Sequence, residues 1–160
     1  PGHFKSKLQE YKSSKSVSQI AKIDNFYNGK LPADGSTILT IVNPNEDCLS
    51  STPDIIYSYI NAVFIEKYRL INRRELNSLL DEQKLSLSGL ISFDESIEAG
   101  NLIGAKYSLI IDYQCEKGSS KLDLTINLIN CETSQIEWVG ILHKNKPAQI
   151  ISDLNKILEN

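Results

Sequence analysis

Tyr107-Ser108-Leu109-Ile110-Ile111-Asp112-Tyr113-Gln114-Cys115 and Leu122-Asp123-Leu124-Thr125-Ile126-Asn127-Leu128 both read with a period of two. Tyr107, Leu109, Ile111, Tyr113 and Cys115 share one side of the first segment. Leu122, Leu124, Ile126 and Leu128 share one side of the second, opposite Asp123, Thr125 and Asn127. Successive side chains of a strand point to opposite faces, so each segment is a strand with an apolar face. A turn at residues 118–120 joins them into an antiparallel hairpin. Residues 132–135 make a second turn, and residues 136–143 a third antiparallel strand.

Outward from this hairpin the period changes. Downstream, Ile150, Ile151, Leu154, Ile157 and Leu158 form a 3,4-spaced stripe, which predicts a helix starting near Pro147. Upstream, Thr37-Ile38-Leu39-Thr40-Ile41-Val42 is apolar and β-branched with little polar alternation, as in a strand covered on both faces. Asn43-Pro44-Asn45 stops it. Thr52 reads as an N-cap with Pro53 at the first helical position. The helix that follows carries Ile56, Tyr59, Ile60 and Val63 on one stripe, with Phe64 beside it, and should end near Lys67. A short strand at residues 69–72 then pairs parallel to the first through a right-handed crossover. Asn72 with Glu75 reads as a capping pair for a second helix that buries Leu76, Leu79 and Leu80. Ser92 with Glu95 repeats the pattern for a third helix, closed by Gly104 as a left-handed cap. The order β-α-β-α-α-β-β-β-α predicts an α/β fold: a three-layer-like sandwich with a mixed sheet of about five strands and flanking helices.

The chain has 160 residues, 41% of them hydrophobic, which suits one domain with its own core. That domain is expected over residues 37–160. Residues 1–36 read as a basic, partly ordered arm. Within it Phe4, Leu8 and Tyr11 share a helical face, residues 13–16 resemble a linker, Val17, Ile20 and Ile23 either continue a helix or pack on the domain, and residues 28–35 form a turn-rich connector. Six lysines against three acidic residues give the arm a net of +3, which leaves −6 for the rest of a chain whose total is −3. Such an arm suits anionic lipid or polymer, or simply solvent. Pro1-Gly2-His3 reads as a cloning remnant, and the chain contains no Met. No run approaches the ~20 apolar residues of a membrane helix.

Cys48, Cys115 and Cys131 form no CxxC, and any pairing leaves one over. The expected hairpin register sets Cys115 opposite about Asp123 and Cys131 opposite about Tyr107, too far apart along the strands to bond. All three are expected to be buried small hydrophobes or idle thiols.

Groups that carry chemistry are sparse. His3 lies in the remnant, and His143 sits at the end of an expected strand, which removes any histidine pair. Asp81 and Glu82 are adjacent on a helix and point about 100° apart. Asp94, Glu95 and Glu98 fall in or beside a helix first turn, where acids complement the dipole. Asp112 and Asp123 are expected to face each other across the hairpin, on its solvated side. Gly100 and Gly104 lack the Lys-Ser/Thr of a phosphate loop. Arg69, Arg73 and Arg74 cluster, but Glu66 and Glu75 flank them, which disfavours nucleic acid. Tyr57, Tyr59, Tyr68, Tyr107 and Tyr113 are spread along helix and strand and form no stacking platform.

One ordered set of residues remains: Arg73, Leu76, Glu82-Gln83, Ser88-Gly89, Gly104-Ala105, then Glu132-Thr133 before a strand carrying Ile136 and Trp138. That set, over a stretch of about residues 37–158, resembles the CsgG-like family of bacterial envelope proteins. The family takes in the curli-secretion lipoprotein and LpoB-type activators of peptidoglycan synthases. The resemblance implies structural roles for the matched residues. Arg73 anchors a strand end, Leu76 is buried, Glu82 and Gln83 bridge a helix to the following loop, and Gly89 and Gly104 supply special backbone conformations. It implies no catalytic residue, no cofactor and no metal.

What the resemblance implies for function is a non-catalytic periplasmic protein, a lipoprotein attached to the outer membrane by an anchor upstream of residue 1. Its partner is another envelope protein, either a cell-wall synthase or a secretion component. The tight turns leave no long amphipathic hairpins to build a membrane pore. A second reading is a small-ligand or glycan-binding module of the periplasm, with Trp138 and nearby tyrosines stacking on sugar rings. An enzyme is the third, disfavoured by the missing constellation.

Overall fold

A computed structural model describes residues 25–81 and 89–159. The elements are β1 (Asn25–Gly29), β2 (Thr37–Val42), α1 (Thr52–Phe64), β3 (Arg69–Ile71), α2 (Arg73–Asp81), α3 (Phe93–Ile103), β4 (Tyr107–Cys115), β5 (Leu122–Asn130), β6 (Gln135–Asn145) and α4 (Pro147–Glu159). They build an α/β fold around one mixed sheet of order β1-β6-β5-β4-β2-β3. β2 runs parallel to both β3 and β4, and the remaining pairs are antiparallel. No described helix is long and apolar enough to cross a membrane.

The sheet has six strands where the sequence suggests about five. The addition is β1, whose Asn25 pairs with Leu142 and whose Gly29 pairs with Trp138. The expected domain boundary at residues 36/37 therefore lies between two strands of one sheet. The first residues of the presumed turn-rich connector, Asn28 and Gly29, are the end of β1.

The alternation of the central hairpin sets the two layers. Tyr107, Leu109, Ile111 and Tyr113 of β4 join Leu122, Leu124, Ile126 and Leu128 of β5 under α1 and α4. α1 contributes Ile56, Ile60, Val63 and Phe64, and α4 contributes Ile150, Leu154, Ile157 and Leu158. Removing each such side chain from water stabilises the fold by roughly 1.5–3 kcal/mol. Trp138 of β6 is also in this layer, its indole folded over Gly140, where an added Cβ would lie 2.5 Å from the ring. The opposite face has a smaller core. Leu39 and Ile41 of β2 and Ile71 of β3 meet Leu76 of α2, Ile91, and Ala99 of α3. Doubly covered β2 explains the unbroken apolar run from residue 37. Asp112 and Thr125 are exposed on that second face.

α3 is positioned closely. The Ser92 hydroxyl accepts from the Glu95 N–H at 3.2 Å, and the Glu95 carboxylate accepts from the Ser92 N–H at 3.1 Å, a complete capping box. Gly104 ends the helix at φ +76°, in the left-handed region that favours glycine. Between these ends, Gly100 sits so close to Cys131 that a Cβ would fall 2.5 Å from its Sγ. The Ser108 hydroxyl donates to Ser96 O at 3.0 Å.

Two details differ from the sequence reading. Ser51, not Thr52, holds the N-cap position of α1 and makes no side-chain capping bond, with Thr52 already helical and buried, one residue earlier than expected. Cys48 and Cys115 are joined by a disulfide, with Cα atoms 5.8 Å apart. This corrects the expectation of three unpaired cysteines. The loop after β2 folds back beside the end of β4, which brings together positions 67 residues apart in sequence. Cys131 is free and buried.

Candidate functional site

The parallel strands β2 and β3 end at the same edge of the sheet, beside the first turns of α1 and α2. In open α/β sheets the carboxyl ends of strands are where crevices form. Polar side chains organise this edge. Asn43, just past β2, is 5% exposed and bonds in three directions. Its Nδ2 donates to Ile91 O at 3.2 Å and to Asp112 Oδ1 at 3.1 Å, and its Oδ1 accepts from the Ile91 N–H at 2.9 Å. Asn45 Nδ2 donates to Tyr113 O at 2.8 Å. These bonds tie the loop after β2 to β4 and to the segment entering α3.

Of the sequence motif, Arg73, Leu76 and Gly89 lie on the α2 side of this edge, whereas Gly104 closes α3 and Trp138 lies on β6. Arg73 opens α2 and its Nη2 donates to Gly89 O at 2.7 Å. Gly89 has φ +66°, a conformation that disfavours side chains. Arg73 and Asn43 thus hold residues 89–91 from two sides. Burial pushes the Arg73 guanidinium below its ordinary value, and its Nε has no partner among the described residues. Leu76 is fully buried in the smaller core. Asn72 Oδ1 accepts from the Glu75 N–H at 2.8 Å. Glu82 and Gln83 lie outside the described residues.

Between α1 and α2 this edge opens into a cavity of about 410 Å³. Thr40 lies at its floor, Asp54 and Ser58 of α1 form one wall, and Arg73 and Arg74 of α2 form the other. A second cavity, about 520 Å³, lies beside β1 and the end of α4. Two of its polar heads are engaged by the backbone: Lys67 Nζ donates to Leu158 O at 2.8 Å, and the Tyr68 hydroxyl to Pro32 O at 2.9 Å. The first cavity was not legible in the sequence, because its walls are assembled from three separate segments.

Other candidate groups do not converge. Asp112 pairs with Thr125 and Asp123 with Gln114, so the two aspartates do not face each other as expected. Asp123 Oδ1 instead lies 3.0 Å from His143 Nδ1. Glu95 is part of the α3 cap. Among the described residues, no group of three or more His, Cys, Asp or Glu is arranged to hold a metal. Trp138 is 2% exposed and cannot itself stack on a sugar, as the glycan reading required of it. Burial pushes the Cys131 thiol up, against a smaller opposing hydrogen bond from Ser108, so it stays protonated at neutral pH.

Comparison with models of known families and with curated proteins finds no match. Solved structures do match. The LpoB C-terminal domain from Escherichia coli superposes with a TM-score of 0.55 at 21% identity, covering 69% of this chain and 83% of that one. The LpoB C-terminal domain from Salmonella enterica gives 0.54 at 19% identity, over 78% and 89%. Lipoprotein GNA1162 from Neisseria meningitidis gives 0.53 at 10% identity, over 78% and 97%. The mixed sheet with helices on both faces is thus the fold seen in LpoB C-terminal domains and in lipoprotein GNA1162.

Proposed function

We propose that this chain is a non-catalytic accessory domain of the bacterial cell envelope. It works in the periplasm, held to the outer membrane by a lipid anchor upstream of residue 1. It acts by contact with another envelope protein, as an activator or assembly factor for a cell-wall synthase or a secretion system. The observation that carries this reading is the fold shared with LpoB C-terminal domains and a lipoprotein. The Cys48–Cys115 disulfide supports it, because such bonds persist in oxidising compartments and are rare in the cytosol. In this reading Arg73, Leu76, Gly89 and Gly104 shape the scaffold, and the docking residues lie on its outer surface.

The test is a reconstituted assay. The domain is added to a purified peptidoglycan synthase from the same source, and glycan-strand polymerisation is followed with and without it. The reading predicts binding and faster polymerisation with the synthase, or binding to a purified secretion component, and no product from the domain alone. Cleavage or modification of peptidoglycan fragments by the domain unaided would contradict it.

A further inference from the structure

The cavity between α1 and α2 is lined by charges of both signs from two different helices. Arg73 and Arg74 line one side and Asp54 the other. Among the described residues, neither arginine forms an ion pair with Asp54. Arg73 is bonded to the Gly89 carbonyl but to no carboxylate among the described residues, and burial pushes it below its ordinary value. Thr40 adds a second, independent observation. It is 1% exposed, it lines the cavity, and among the described residues its Oγ1 has no hydrogen-bond partner. Buried hydroxyls are normally bonded, and an exception asks for a reason. The Ser58 hydroxyl donates to Asp54 O at 2.9 Å and retains acceptor capacity toward the cavity.

We propose that this cavity binds a small zwitterion of the amino-acid or short-peptide class. The ligand's carboxylate lies against Arg74 and Arg73, its ammonium against Asp54, and Thr40 Oγ1 donates to the carboxylate. The charge pattern selects this class. A bare oxyanion would meet the Asp54 carboxylate across the cavity, and a bare cation would meet two arginines. A molecule carrying both charges neutralises both walls at once. The first turn of α2, with Arg73 and Arg74 as its first two residues, adds a favourable dipole for the anionic end. The volume of about 410 Å³ falls within the range of small-ligand sites and holds a dipeptide. Pro44, Pro53 and Val42 supply apolar surface for short side chains. This inference does not depend on the envelope reading, since the site would serve the same ligand in any compartment.

The experiment is a calorimetric and NMR titration of the whole chain with four probes: alanyl-alanine, its N-acetyl derivative, its C-terminal amide, and inorganic phosphate. Alanyl-alanine is expected to saturate one site and to shift the amide resonances of Thr40, Ser58 and Arg74. Capping either charge should weaken binding by about tenfold or more. Arg74→Gln and Asp54→Asn should each weaken alanyl-alanine by a similar factor, and Asp54→Asn should leave the weak binding of the N-acetyl derivative unchanged. Thr40→Val should weaken alanyl-alanine about fivefold while keeping or raising the melting temperature, because the lost hydroxyl serves no partner inside the fold. No saturable binding of alanyl-alanine, equal binding of the capped probes, or tighter binding of phosphate would overturn the proposal. So would a Thr40→Val variant that melts lower, which would show the hydroxyl to be used within the protein.

Discussion

Asn43 shows how one residue fixes the geometry of the sheet edge. A strand-ending asparagine reads only as a stop in the sequence, because the partners that use its amide, Ile91 and Asp112, lie far along the chain. Buried and bonded on three sides, it does the work of a short stretch of backbone. Asn43→Ala removes those bonds and leaves the Ile91 N–H and C=O without their buried partner. The expected loss is about 2–4 kcal/mol of stability, read from urea unfolding, with an unchanged m-value. Asn43→Asp keeps the acceptor for Ile91 N–H but sets a second carboxylate against Asp112, so it should not rescue the loss. Motif residue Arg73 is the complementary case. Its place at the end of a strand is visible in sequence, whereas its acceptor, the Gly89 carbonyl, is known only from the fold.

At the scale of elements, legibility follows locality. The β4–β5 hairpin, α4 and the cap of α3 were readable because their signals lie within a dozen residues: alternation, a 3,4 stripe, and a Ser92/Glu95 pair three residues apart. β1 was not. Asn25-Phe26-Tyr27-Asn28-Gly29 is short, lies at a sheet edge and carries turn-forming Asn and Gly. Its strand character comes from β6, not from its own composition. The disulfide was missed for the same reason, since Cys48 sits in a loop whose path no local pattern reveals. The α3 cap gives a direct test. Ser92→Ala should cost about 1 kcal/mol. Glu95→Ala should cost less once Ser92 is already gone, because the two bonds support each other. A double-mutant cycle on thermal unfolding measures that coupling.

For the whole molecule, pH and redox state act through the core. Burial raises the Cys131 thiol above its ordinary 9.0, and it raises the Tyr57, Tyr68 and Tyr113 phenols above their ordinary 10.0. The unfolded chain therefore releases these protons first as the solution becomes alkaline. With fewer protons bound when unfolded, stability falls as pH rises. Urea midpoints should be level through neutrality and decline from about pH 9, and Cys131→Ser should delay the onset toward the tyrosine range. The Cys48–Cys115 bond ties the loop after β2 to the far end of the central strand. Chain-entropy arguments put its contribution at about 4 kcal/mol for a closure of this length, so Cys115→Ser should unfold at clearly lower urea. The bond also joins the physics to the proposed location, since such bonds persist where the surroundings are oxidising and are rare in the cytosol. Thiol mapping by mass spectrometry on the full-length protein, alkylated in its own cells before lysis, tests that envelope assignment most directly. The account predicts protein in the envelope fraction with Cys48 linked to Cys115 and Cys131 alkylated only after denaturation. Protein recovered from the cytosol with Cys48 and Cys115 both reduced would contradict it.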